Sequence, residues 1–255
     1  MIKADIHVHT DFCDGAASPE EMVRAAIELG CTRIGFSAHA PMPFACYAMP
    51  AEREDDYRAE ILRLKSVYAK RIEVLLGLEL DLYSLPVTKP YDYLIGSVHY
   101  FSPQEADGPR RHEVDGGAEA LEATIETCFG GDPYAAAEDY FASVARLAER
   151  RPSVIGHVDL IRKYNRGGRY FDETSPRYLN AARRAIDALL PLGVPFEVNT
   201  GVVFRGYRET PYPAAPLLAY ILKNGGKVTL TGDAHKPEGL CYEFDKWAEY
   251  VRMFE

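Results

Sequence analysis

The sequence has few cysteines, and none of the patterns in which cysteines usually act together. Its five thiols are odd in number, widely spaced and without a Cys-x-x-Cys pair; they lie at Cys13, Cys31, Cys46, Cys128 and Cys241. This spacing is not that of a disulfide framework or a cysteine-ligated zinc site. It is typical of a protein kept in a reducing compartment, so we expect a cytoplasmic protein.

Two kinds of interaction segment are also missing. No apolar run approaches the roughly 20 residues that a membrane-spanning helix needs, and the first residues lack the basic flank and apolar core of a secretory signal. The net charge is -9, and no run of Lys and Arg offers a basic face to a phosphate backbone. We therefore expect neither a membrane nor a nucleic acid as partner.

Strand and helix patterns alternate along the 255 residues. Strands are predicted over residues 2–8, 33–37, 72–80, 91–98, 154–157, 195–200 and 227–231. Helices are predicted between them, two beginning at the capping residues Ser18 and Ser175. The nearly continuous apolar run 72–80 indicates burial on both faces, as in a parallel sheet. The connection 101–133 is predicted as a long functional loop.

Seven such units predict an α/β fold with a parallel (β/α) barrel, in one domain over residues 1–255. In a barrel of this kind the functional side chains converge at the carboxyl ends of the strands. A doubly wound open sheet is the structural alternative, and it would spread the strand ends along a line.

Six of the seven histidines lie at or just after a predicted strand end, and only His112 does not. His7 and His9 share one face of the first strand because residues two apart point the same way. The other four are His39, His99, His157 and His235. Three acidic residues accompany them: Asp14 in the first loop, Glu79 at the end of the third strand, and Asp233.

These nine side chains offer nitrogen and oxygen ligands without sulfur. Such a set suits zinc, iron or manganese better than calcium or magnesium alone. Nine ligands exceed the coordination number of one ion. We therefore expect two to three divalent ions, with a carboxylate bridging two of them.

The motifs resemble, in order, those of the PHP family, named for polymerases and histidinol phosphatases. They are His7-Val8-His9, Cys13-Asp14-Gly15, His39, Gly77-Leu78-Glu79, Ser97-Val98-His99, Gly156-His157 and Gly232-Asp233-Ala234-His235. The resemblance spans almost the whole chain. It implies a distorted seven-stranded barrel, (β/α)7, with three metals.

The resemblance also implies a ligand assignment. One ion would be held by His7, His9, Glu79 and Asp233. Glu79 would bridge it to a second ion, held by His99 and His157. The third would be held by Asp14, His39 and His235.

Within that family, residues 37–41, 96–100, 156–164 and 197–200 most resemble PHP-type histidinol-phosphate phosphatases. This implies a metal-dependent phosphomonoesterase that hydrolyses L-histidinol phosphate by in-line attack of a metal-bound hydroxide, in histidine biosynthesis. Charge supports a phosphate substrate independently, because three divalent ions less three carboxylates leave about +3 at the site. The partner is then a small-molecule phosphate monoester.

Several side chains are candidates for contacts with the substrate. The expected catalytic set is Glu79, Asp233, His235 and Arg162, and the expected substrate-binding set is Arg162, Arg205 and Lys163, with Arg208 as a weaker candidate. An arginine can grip phosphate with two hydrogen bonds, although Arg162 and Arg205 are as readily surface charges. The substrate amine and ring are expected near Asp81, Asp159, Glu113 or Asp115 and the loop tyrosines Tyr164, Tyr170, Tyr207 and Tyr212. For Asp81 and Asp159, support of a ligating histidine is an equal alternative, and the tyrosines otherwise pack the loops.

Three other functions stay open. The chain is alternatively a PHP phosphoesterase acting on a nucleotide or sugar phosphate, a module that serves a polymerase, or a metal-dependent hydrolase of amides or lactones. Fold likeness does not choose among them. The general acid and the oligomeric state are not predicted.

Overall fold

The computed structural model describes residues 3–103 and 111–255. Its strands are β1 (Ala4–Asp5), β2 (Arg33–His39), β3 (Glu73–Asp81), β4 (Tyr93–Ser97), β5 (Tyr100–Phe101), β6 (His112–Glu113), β7 (Val154–Ile155), β8 (Pro195–Asn199) and β9 (Lys227–Thr231). Seven of them form one parallel sheet, in the order β1-β2-β3-β4-β7-β8-β9. The short strands β5 and β6 pair antiparallel beside it.

The two edges of this sheet meet, so the strands form a nearly closed barrel. Just beyond β9, the Ala234 amide donates to the His7 carbonyl, and the His9 amide donates to the Ala234 carbonyl, each over 2.9 Å. Val8 and Ala234 thereby form a parallel bridge. The predicted barrel is confirmed, and the open-sheet alternative is wrong.

Helices cover the outside of the barrel. They are α1 (Pro19–Glu28), α2 (Glu54–Val67), α3 (Ala118–Phe129), α4 (Pro133–Ala145), α5 (Pro176–Leu189), α6 (Gly201–Phe204), α7 (Ala215–Lys223) and α8 (Phe244–Arg252). The caps predicted for α1 and α5 are present. The Ser18 hydroxyl accepts from the Glu21 amide, the Glu21 carboxylate accepts from the Ser18 amide, and the Ser175 hydroxyl accepts from the Tyr178 amide. In the described residues no helix combines the length and the apolar character that crossing a bilayer requires.

One large aromatic side chain, that of Tyr93, packs with other apolar side chains in the interior of the barrel. The Tyr93 hydroxyl donates to the carbonyls of Ile6 and Phe36, over 2.6 and 3.0 Å. Gly35 and Gly77 make room for its ring, since a Cβ at either position would lie 2.6 or 2.4 Å from a Tyr93 atom. The interior is therefore packed beneath the carboxyl ends of the strands.

The connection 101–133 is more ordered than predicted. It contains β6, which pairs with β5, and the twelve-residue helix α3. The helix was missed because only Leu121, Thr124 and Ile125 are buried, which leaves a narrow apolar stripe among Ala and Glu. Residues 104–110 of this connection lie outside the described residues. The loop expected after β8 likewise begins with the short helix α6.

The first strand is shorter than predicted. Regular pairing with β2 covers only Ala4 and Asp5, of the predicted range 2–8. Beyond it Val8 stays beside β2, since its carbonyl accepts from the Ser37 amide over 2.9 Å, and it also pairs with Ala234 after β9. The bridge to Ala234 brings the first and last motifs together.

Candidate metal centre

The nine predicted ligand residues meet at one end of the barrel. The β2–β3 register places His39 directly beside Glu79, and the Val8–Ala234 bridge places His7 and His9 beside the segment that carries Asp233 and His235. His99 and His157 follow β4 and β7. Convergence follows from the fold, because parallel strands present their carboxyl ends on the same side.

The Glu79 carboxylate lies at the centre of five imidazole rings. Its Oε2 is 2.9 Å from His39 Nδ1, 3.3 Å from His7 Nε2 and 3.5 Å from His9 Nε2. Its Oε1 is 3.0 Å from His157 Nε2 and 3.5 Å from His99 Nε2. Only 1% of the residue is exposed. One carboxylate with each oxygen facing a different set of histidines is the geometry that a bridging ligand requires.

Asp14 and Asp233 lie nearer the opening. Asp14 Oδ2 is 3.2 Å from His235 Nε2, and its Oδ1 is 3.7 Å from His39 Nε2. Asp233 Oδ1 is 3.4 Å from His9 Nε2 and 3.6 Å from His235 Nδ1. Each carboxylate thus faces at least one of the rings around Glu79, and both also face His235.

Three overlapping groups of donor atoms are close enough to hold an ion. In each group the atoms lie within 4.8 Å of one another; the groups are His9, Asp14, His39 and His235, then His7, His9 and Glu79, then His39, Glu79 and His99. The grouping differs from the implied assignment: His39 also lies with Glu79 and His99, His9 also lies with Asp14 and His235, and neither His157 nor Asp233 belongs to a group found among the described residues. Every member of the three groups is one of the nine predicted ligand residues.

Unsatisfied polar atoms indicate that these residues fit a cation. His7 Nε2, His9 Nε2 and Glu79 Oε2 are buried and lack a hydrogen-bond partner within the described chain. Leaving one such atom unpaired costs about 1–3 kcal/mol. These three atoms face the same space, so one cation bound between them would satisfy all three.

Charge states agree with this interpretation. Burial, together with neighbouring His235 and His39, lowers the pKa of His9 to about 3, so its ring is neutral and can act as a ligand. Burial opposes the charge of Glu79, but the adjacent His39 and His7 hold its pKa well below the ordinary value. The centre therefore combines a neutral imidazole with an ionised carboxylate.

Two buried carboxylates fix the orientation of the rings. Glu197 Oε1 lies 2.6 Å from His7 Nδ1, and its Oε2 accepts from the His157 amide over 3.1 Å. Asp81 Oδ2 lies 3.1 Å from His99 Nδ1. Both contacts leave Nε2 free to face the centre. Asp81 therefore supports a ligating histidine, which is one of the two roles predicted for it. Sequence analysis did not single out Glu197, although it shares the inward face of its strand with Asn199.

A cavity of about 280 Å³ opens above the centre, and two of the predicted substrate-binding residues line it. Arg205 donates to the Asp233 carbonyl over 2.9 Å and to Asp233 Oδ2 over 2.8 Å. Lys163 Nζ lies 2.9 Å from Asp115 Oδ2. Glu113 also lines the cavity, so both cations and acids border the same space.

Arg162 lies elsewhere. Its side chain is buried, and its guanidinium donates to Glu173, to the Pro211 carbonyl and to the Thr210 hydroxyl. It does not line the cavity. The structure thus places Arg162, predicted to contact phosphate and to be catalytic, among protein partners outside the cavity wall. The spacing of Arg162 from His157 in the sequence does not reveal where the Arg162 side chain points. After the turn Leu160–Arg162, it is Lys163 that lines the cavity.

Other predicted substrate contacts also lie away from the cavity. Asp159 is buried and accepts from the Ala214 amide, and Arg208 donates to Glu173. The loop tyrosines Tyr164, Tyr170, Tyr207 and Tyr212 are absent from the cavity wall in the described residues. Tyr47, which sequence analysis missed, does line it. Its ring packs edge-on to the His39 ring, with the two ring centroids 4.7 Å apart. No local sequence pattern predicts this contact.

Comparisons with known proteins identify the family to which the chain belongs. The chain is 30% identical to a protein of Deinococcus radiodurans named probable histidinol-phosphatase, over 97% of this chain and 92% of that one. It is 24% identical to the histidinol-phosphatase of Bacillus subtilis, over 98% and 99% of the two chains. The histidinol phosphate phosphatase of Lactococcus lactis, solved with zinc, L-histidinol and phosphate, is 23% identical, with a TM-score of 0.74 over 99% of this chain and 94% of that one. The family model of the PHP domain matches residues 5–201. The chain therefore belongs to the PHP domain family.

Proposed function

We propose that this protein is a histidinol-phosphatase, which hydrolyses L-histidinol phosphate to L-histidinol and phosphate in histidine biosynthesis. The observation that carries the proposal is a cavity that joins a cation-fitting centre to Arg205 and Lys163 on its wall. Relatives aligned over nearly the whole chain carry the same name, and the Lactococcus lactis structure holds zinc with both products. We further propose a single domain over residues 1–255 that acts in the cytoplasm.

The proposed cofactor is two to three divalent ions of zinc, iron or manganese. The proposed ligands are His7, His9, Asp14, His39, Glu79, His99, His157, Asp233 and His235. Ions bound there would polarise the phosphoryl oxygens and lower the pKa of a water molecule, which are the usual contributions of metals to phosphate ester hydrolysis. The central position of Glu79 supports its role as the bridging ligand.

The chain's own residues have distinct proposed roles. Arg205 holds Asp233 in place and presents its remaining donors to the phosphate. Lys163 supplies a second positive charge, kept in position by Asp115. Asp233 and His235 border the reacting phosphoryl group. Asp115 is paired with Lys163, so Glu113 is the acid that offers negative charge to the amine of the substrate, and this arrangement favours a phosphate ester with a cationic tail over a simple aryl phosphate.

A comparison of substrates tests the proposal. In zinc-loaded protein we expect kcat/KM for histidinol phosphate to exceed that for AMP and for an aryl phosphate by a hundredfold or more, about 2.7 kcal/mol of discrimination. Glu79→Gln protein, purified identically, controls for contaminating phosphatases. A preference for AMP would instead identify a PHP phosphoesterase of another substrate and contradict the biosynthetic role.

A further inference from the structure

The histidines of the centre differ in the atom that lies beside the ring nitrogen not directed at the cation site. A ring that binds a cation through Nε2 carries its proton on Nδ1, and that proton needs an acceptor. For His7 and His99 the atom facing Nδ1 belongs to a carboxylate. For His9 it is a sulfur: Cys13 Sγ lies 3.5 Å from His9 Nδ1. Asp14 Oδ1, at 3.7 Å, lies beyond hydrogen-bond distance.

The loop after β1 holds this thiol in place. The Thr10 carbonyl accepts from the amides of Cys13 and Gly15, over 2.9 and 3.0 Å, which closes a tight turn. Gly15 is required there because a Cβ would lie 2.4 Å from the Thr10 nitrogen. The turn therefore sets Cys13 against the His9 ring and Asp14 at the opening of the centre.

We propose that Cys13 is a positioning residue, whose sulfur accepts the Nδ1 proton of His9 and so keeps His9 Nε2 unprotonated and directed at Glu79 and Asp233. The inference deepens the proposed function, since it concerns the same metal centre. Cys13 Sγ belongs to none of the three donor groups found among residues 3–103 and 111–255. Its role is thus distinct from direct ligation.

Zinc affinity, measured by competition with a chelator, tests this role. Loss of the acceptor in Cys13→Ala and Cys13→Val should weaken zinc binding by about 10- to 100-fold, as for other residues that support a ligating histidine. Cys13→Ser keeps an acceptor and should restore part of the affinity. The matched control is Cys46→Ala, because Cys46 is an exposed thiol, and its affinity should equal that of the unmodified protein.

Two results would overturn the proposal. One is unchanged zinc affinity in Cys13→Ala. Where the alanine variant does not fold, the same result in Cys13→Val, which fills the site with a slightly larger apolar side chain, would overturn it. The other is a sulfur-to-cobalt charge-transfer band in cobalt(II)-substituted protein that Cys13→Ala removes, because it would make Cys13 a direct ligand. The measurements use no substrate, so an error in the substrate assignment leaves their outcome unchanged.

Discussion

Glu197 Oε1 lies 2.6 Å from Nδ1 of His7, and both side chains are fully buried. The same carboxylate accepts from the His157 amide through its other oxygen, so it links two strands that carry proposed ligands. Asn199 Nδ2 also donates to it, over 3.3 Å. Glu197 is thus the residue on which the deepest part of the centre depends.

We therefore expect Glu197→Gln to weaken zinc binding by about 10- to 100-fold, because an amide is a poorer acceptor for the His7 Nδ1 proton. Chelator competition measures the effect. Glu149→Gln, a change at a surface residue with a 64% exposed side chain, is the matched control and should bind zinc normally. Normal affinity in Glu197→Gln would show that His7 is oriented by the backbone alone.

Glu79→Gln should reduce the number of bound ions. Metal analysis of the fully loaded, unmodified protein is expected to find more than one equivalent per chain, because two of the three donor groups share Glu79. A neutral amide is a poor bridge between two cations, so the variant should lose at least one ion and nearly all phosphatase activity. At most one tightly bound ion in the unmodified protein would rule out the polynuclear centre.

The barrel and the convergence of the nine candidate ligands could be predicted because both leave local signals. Apolar runs ended by histidines mark strands and their carboxyl ends, and parallel strands must present those ends together. The roles of Arg162 and Tyr47 had no such signal. Arg162 follows His157 by five residues, yet its direction depends on Glu173 and Pro211, which are distant in sequence. Tyr47 reaches His39 from an irregular segment, which has no periodicity to interpret.

Arg162 and Arg205 should respond differently to substitution. Arg162→Ala leaves the buried Asp159 without its cation, whereas Glu173 keeps Arg208, and loss of one partner of a buried ion pair typically costs about 3–5 kcal/mol. We expect a large fall in the free energy of unfolding, measured with denaturant. Arg205, whose side chain is 28% exposed, should affect stability much less.

For Arg205→Ala we expect kcat/KM to fall by about ten- to a hundredfold, the loss of roughly 1.5–3 kcal/mol from a charge-assisted hydrogen bond to phosphate. Arg205→Lys keeps the charge but not the paired donors, so it should recover only part of the rate. Zinc content, measured on the same samples, is the control. Loss of the Arg205–Asp233 contact would lower the zinc content, whereas loss of a phosphate contact alone would not. Unchanged kinetics in zinc-loaded Arg205→Ala would remove Arg205 from the substrate site.

Asp5 joins the first and last segments of the barrel, and its loss should loosen the closure. Its Oδ1 accepts from the amides of Gly232 and His7, over 2.9 and 3.3 Å, and its Oδ2 accepts from the Cys241 amide over 3.0 Å. Asp5→Ala would leave these buried amides unpaired, at about 1–3 kcal/mol each. We expect the free energy of unfolding to fall by at least about 3 kcal/mol.

Amide hydrogen exchange distinguishes a local from a global consequence of Asp5→Ala. Because Gly232 adjoins Asp233 and the His9 amide bonds to Ala234, exchange should accelerate first at residues 7–9 and 232–235 and only weakly along β3. The matched control is Asp245→Ala, a change to an exposed acid in the first turn of α8. Uniformly faster exchange throughout the barrel, β3 included, would mean that Asp5 stabilises the whole fold and has no special part in closing it over the metal centre.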